Sequence, residues 1–196
     1  MARTNGNGTR IGMNEAERWI QRLRVIGWST VAIILLLPAI GMQFSEEVDW
    51  SAGDFLFAAI LLGGTGLLVE LVVRRSQDNA YRAGAVLALI TLLLLAWSNA
   101  AVGFVGAGAN AANILYVALI GMVAAASFAA SFSARGMGKA MIAAAIGQGL
   151  IAGLAFSQEL VQADERMAIL GINAFFIALW SAAAALFRKA ARKEAA

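Results

Sequence analysis

Residues 67–97, LLVELVVRRSQDNAYRAGAVLALITLLLLAW, decide the fold. An apolar run ends at Arg74 and Arg75, a short polar gap holds Asp78, Tyr81 and Arg82, and a second apolar run starts at Ala83. Apolar runs of bilayer length separated by a tight basic gap read as two membrane-spanning helices joined on the cytoplasmic side. Lipid offers no hydrogen bonds, so each spanning backbone must satisfy its own, which in Leu- and Ala-rich runs means helix.

Working outward, the same pattern repeats along the chain. Six spans are expected, at residues 25–42, 55–73, 83–104, 114–132, 140–156 and 167–187. Of the 15 Lys and Arg residues, all but Arg166 fall before the first span, after the second, after the fourth or after the sixth. The other gaps are acidic (Glu46, Glu47, Asp49, Asp54, then Glu159, Asp164, Glu165) or uncharged (105–113). This alternation predicts both termini in the cytoplasm. The fold class expected is an all-α integral membrane protein: a six-transmembrane-helix bundle over 25–187, N-in and C-in, with a short amphipathic N-terminal helix. The location expected is the bacterial cytoplasmic (inner) membrane.

At the ends, residues 1–13 have no hydrophobic period and read as a flexible tail. Residues 14–24 open on a capping-box pattern, Asn14 and Glu17, and set Ala16, Trp19, Ile20 and Leu23 against Arg18, Gln21, Arg22 and Arg24. That is a basic amphipathic segment along the membrane surface, or a cytoplasmic extension of the first span. The first span, with Pro38 near its outer end, exceeds a signal-peptide core and reads as an uncleaved anchor. Residues 188–196 read as a basic tail. Trp28, Trp97, Trp180, Tyr81 and Tyr116 fall towards span ends, as interface belts do.

Composition excludes much chemistry. The chain is 61% hydrophobic and 14% charged, with no His and no Cys. Disulfides, imidazole-ligated metals, axial-His haem, iron–sulfur clusters and His or Cys acid–base catalysis are closed to it. Every lysine lies outside the spans, which removes an intramembrane Schiff base. No cofactor and no metal site is expected, and the +3 net charge points to anionic lipid rather than nucleic acid. The partners expected are the bilayer and either further copies of the chain or other membrane subunits.

Few residues are candidates for function. Glu70 is the one ionisable group well inside an apolar run, on a helical face with Ala59, Gly63 and Gly66. Arg74, four positions on, suits an intramembrane ion pair; proton or cation handling is the alternative. Gly63-Gly64-Thr65-Gly66 lacks the lysine and the strand-to-helix setting of a phosphate loop and reads as a place for close helix approach. Gly121, Ala125 and Ala129, continued by Ser133, form a small-residue stripe, as do Ala145, Gly149 and Gly153. Packing of the fourth helix on the fifth is the expected use, and a seam between copies the alternative.

Asn99 and Asn173 sit about 8–9 Å inside the same predicted boundary at 1.5 Å per residue. Asn113 opens the span that follows Asn99, and Gln148 is near the middle of the fifth. These four amides form a candidate polar cavity, or else interhelical hydrogen bonds. The connection 105–113 is expected to be a plain turn with Asn113 as N-cap. An aquaporin-type filter is excluded, because Pro38 is the only proline.

The function expected is small-solute or ion permeation by an oligomeric channel or facilitator. A non-catalytic accessory subunit of a larger membrane complex is the alternative. A membrane enzyme, limited to carboxylates, ranks third.

Overall fold

The computed structural model describes residues 7–101, 103–104, 113–157 and 165–195. It is all-helical over these residues, with six helices: α1 (Asn7–Gly41), α2 (Ala52–Arg75), α3 (Asn79–Ala101), α4 (Asn113–Ala129), α5 (Ala134–Ser157) and α6 (Arg166–Glu194). Five are long and apolar enough to cross a bilayer. α4 is apolar but has only 17 residues, about 25 Å at the helical rise.

By compactness the chain divides at Glu70 into residues 1–70 and 71–196. In the first unit, α1 starts inside the segment read as a flexible tail and runs unbroken through residues 14–24 into the first span. The amphipathic stretch is thus not a separate helix. Its glycines are weak breakers, and no proline occurs before Pro38. Of the side chains expected to define its two faces, those of Asn14, Glu17, Trp19, Ile20 and Leu23 lie outside the described set.

The start of α2 is a capping box. Ser51 N donates to Asp54 Oδ2 at 2.8 Å and Asp54 N donates to Ser51 Oγ at 3.2 Å. α1 and α2 then meet in antiparallel register. The Trp28 ring lies where a Cβ on Gly66 would come within 3.6 Å of it, and one turn away Arg24 reaches Glu70. The Gly63–Gly66 stretch stays helical throughout.

In the second unit α6 packs along α5 on one side and α3 on the other, and α4 closes the ring by touching both α5 and α3. Small residues let the backbones approach: Gly84, Ala85 and Ala88 on α3, Ala140, Ala144, Ala152 and Ala155 on α5, and Ala183, Ala184 and Ala190 on α6 are all buried. The exterior is richer in large apolar groups, with Ile114, Phe128, Ile146, Leu150 and Met167 exposed. Such an exterior suits lipid and not water.

Several element ends differ from expectation. α3 starts at Asn79, four residues early, because Asp78 caps it: Tyr81 N donates to Asp78 Oδ1 at 2.8 Å. Gly136 and Gly138, which fall in the gap between the predicted spans 114–132 and 140–156, lie inside α5. Ser133 caps that helix, with Gly136 N donating to its Oγ at 3.3 Å. A Cβ on Gly136 would stand 2.5 Å from Ala130 Cβ, so the tight turn requires glycine there. The basic tail is also helical to Glu194. Its Ala, Arg and Lys are strong helix formers, and Ala190 packs with Ala80 and Ala134.

α4 stops three residues short of its predicted end. Phe132 N donates to Ser127 O and Ser131 N to Phe128 O, with Ser131 at φ 48 and Phe132 at φ 54. This is a Schellman closure with serine where glycine is usual. Removing the Cβ there should relieve left-handed strain. Ser131→Gly is therefore expected to raise stability by about 0.5–1 kcal/mol, read as a higher denaturation midpoint in detergent. A lower midpoint would mean that the serine side chain contributes more than the strain costs.

Candidate functional site

The buried polar groups of the second unit gather where α4, α5 and α6 face one another. Asn173 Oδ1 is the hub. It accepts from Gln148 Nε2 at 2.9 Å and from Tyr116 OH at 3.2 Å, while Asn173 Nδ2 donates to Ile169 O at 2.9 Å. Relative exposure is 0% for Gln148 and Tyr116 and 2% for Asn173, which leaves no water-sized space beside them. The three residues come from three helices, so the cluster ties these helices together.

Asn113 is linked to the cluster through Phe104. Its Oδ1 accepts from Phe104 N at 2.8 Å. The Phe104 ring stacks on Tyr116 at 4.5 Å and meets Phe176 edge-on at 5.5 Å. Residues 105–112, and with them the expected plain turn, lie outside the described residues. Asn99 Oδ1 is buried and accepts no hydrogen bond. Gln148 Oε1 likewise accepts none, and the buried Trp180 Nε1 donates none, among the described residues. Of the four amides proposed from sequence, Gln148 and Asn173 bond to each other directly.

Tyr116 and Trp180, expected in interface belts, are both fully buried. The signal that places them is helical spacing. Trp180 lies seven residues after Asn173, and Tyr116 shares the buried face of α4 with Leu119, Val123 and Ser127.

Glu70 sits at the contact between α1 and α2, its Oε1 2.6 Å from Arg24 Nη2. Sequence spacing points to Arg74 on the same helix as its cation; the antiparallel register also brings Arg24 from the preceding one.

The small-residue stripes fall elsewhere than expected. Gly121, Ala125 and Ala129 are not packed in the α4–α5 contact: Gly121 and Ala129 are exposed, and a Cβ on Gly121 would meet nothing within 4 Å. On α5, Ala145 is half-buried against the core. A Cβ on Gly149 would lie 3.7 Å from Ile177 on α6, and one on Gly153 would meet nothing. The close approach of α4 to α5 is at Gly147, where a Cβ would lie 2.9 Å from Leu119 Cδ1. A four-residue repeat drifts around a helix of 3.6 residues per turn, so a stripe of that period leaves the buried face within two turns.

A second polar cluster closes the end of the bundle where α3 begins. Tyr81 OH donates to Phe132 O at 2.6 Å and its ring packs edge-on against Phe187 at 5.2 Å. Lys193 Nζ donates to Asp78 Oδ2 at 3.0 Å, and Arg82 Nη2 donates to Val73 O at 2.8 Å. These contacts tie the α2–α3 turn, the α4–α5 turn and the end of α6 together. The Tyr81 N–H, and after it Lys193, hold the Asp78 carboxyl below its ordinary range.

A carboxylate whose folded pKa is depressed stabilises the fold above its unfolded pKa of about 3.9, and that stability is lost as pH falls through the folded value. Between pH 5 and pH 3 the wild type should lose thermal stability that Asp78→Asn, which caps but does not titrate, retains. Parallel loss in both proteins would remove Asp78 from the acid response.

Among the described residues no three His, Cys, Asp or Glu side chains are grouped to hold a metal ion. No protein-family model matches this chain, and comparison with curated proteins and with solved structures likewise gives no match.

Proposed function

We propose that this chain is a non-conducting, non-catalytic membrane subunit, with six spans and both termini in the cytoplasm, whose lateral surface serves assembly with other membrane proteins. The observation that supports this is the closed amide cluster. A solute path needs polar groups facing water, whereas Gln148, Asn173 and Tyr116 spend their hydrogen bonds on one another without exposure. Buried amides of this kind act as interhelical glue. The six-span topology rests on the charge alternation.

A second reading, permeation by an opened form, is favoured by the bare Gln148 Oε1, Trp180 Nε1 and Asn99 Oδ1. Buried orphans cost free energy that a hydrated state would recover.

One preparation tests both. In proteoliposomes the protein should pass no more ions, glycerol or water than empty vesicles, and in native membranes it should co-purify with a larger complex at fixed ratio. Cysteines at Asp49 and Asp164 should label from outside intact cells, and one at Asp78 should not. Flux abolished by Gln148→Leu would favour permeation instead, and outside labelling at position 78 would overturn the topology.

A further inference from the structure

We infer that the end of α6 is a binding site for an anionic phospholipid. Ala185, Arg188, Lys189, Arg192 and Lys193 share one face of the last turns of that helix. Arg188, Lys189 and Arg192 are exposed, and among the described residues none of the three is in an ion pair. They are nonetheless fixed in direction. The opposite face of the same turns is buried through Phe187 and Ala190, and Lys193 is tied to Asp78 at 3.0 Å. The helix therefore cannot roll its cations away, and the fold presents three positive groups on one side of its end.

Below the cations the same face continues as small, exposed residues: Gly171, Ala174, Ala178, Ala182 and Ala185. A Cβ on Gly171 would meet nothing within 4 Å. This strip of small residues, interrupted by the exposed Ser181, leads to the basic end over about 20 Å at the helical rise, a length that suits an acyl chain. Free phosphate would use the cations alone, whereas a lipid would use both the cations and the strip. The continuity of the two selects a lipid whose phosphate sits among Arg188, Lys189 and Arg192. The inference rests on the membrane-spanning reading, but not on whether the protein conducts.

The test is native mass spectrometry of the intact protein in detergent with phosphatidylglycerol and phosphatidylcholine of matched chains in competition. Wild type should retain the anionic lipid with about fivefold or greater preference, the factor that one effective surface cation supplies. R188Q/K189Q/R192Q should lose that preference, and Ala178→Leu, which fills the strip and keeps the charge, should weaken retention of the lipid. Equal retention of the two lipids by wild type would overturn the site, and this arm needs no variant to fold. Inorganic phosphate displacing the lipid completely would reduce the site to an anion patch. A dimer that dissociates in Ala178→Leu, with no lipid preference, would assign the strip to a second copy instead. Conduction in vesicles is measured separately, so failure of the lipid site leaves the flux measurement unaffected.

Discussion

Asn173→Leu should be among the most destabilising single substitutions in the second unit, at about 2–4 kcal/mol. The change keeps the branched four-atom skeleton and opens no cavity, so the cost comes from the stranded polar groups and the bulkier methyls. It strips the acceptor from Gln148 Nε2 and from Tyr116 OH, both on side chains without exposure. A buried donor left without a partner costs about 1–3 kcal/mol, tempered in membranes because the unfolded state also finds partners.

Gln148→Met, by contrast, removes a donor together with the bare Oε1, and leaves Tyr116 still bonded to Asn173. It should stay within about 1 kcal/mol of wild type, because the lost hydrogen bond is offset by removal of a buried, unpartnered oxygen. The combination Asn173→Leu with Gln148→Met should then be less damaging than Asn173→Leu alone, because one orphan donor is gone. Unfolding by graded sodium dodecyl sulfate, followed by tryptophan fluorescence and helicity, measures all three. Additive effects would show that the cluster is not coupled, and the glue reading would fail.

Gly84→Leu should be the second severe change. A Cβ at Gly84 would lie 3.2 Å from Leu186 Cβ and 3.4 Å from Ala183 O and Phe187 Cδ2. Backbone and stem atoms of α6 have little freedom to withdraw, so a leucine must force α3 and α6 apart. Overpacking of this kind costs typically about 1–3 kcal/mol and occasionally more, and one of the main helix contacts of the unit is at stake.

Gly121→Leu is the matched control, since its Cβ would meet open space. It should be neutral or slightly stabilising, because leucine is the better helix former by about 0.8 kcal/mol or less. If Gly121→Leu proved as damaging as Gly84→Leu, Gly121 would have to lie against a partner, and the seam between copies would be restored.

Hydropathy and charge alone give an all-helical chain with apolar runs at these places, because period and length are local properties that lipid reads directly. Glu70 was also legible as a paired carboxylate on a small-residue face. That Arg24 also reaches it was not, since pairing across helices depends on the antiparallel register of α1 and α2. The caps at Asp78 and Ser133 and the closure at Ser131–Phe132 moved helix ends by several residues; they turn on which hydrogen bonds tertiary packing leaves available. Gln148 and Asn173 could be named from their polarity in apolar runs. Their direct bond, the inclusion of Tyr116, and the separation of Asn99 Oδ1 from them were decided only by how the helices are rotated about their axes. With that rotation the neighbouring helices come close at Gly84 and Gly147, and not at Gly121 of the more regular stripe. A periodic pattern marks a face, but the partner that covers it is chosen by shape complementarity, which no single helix carries in its own sequence.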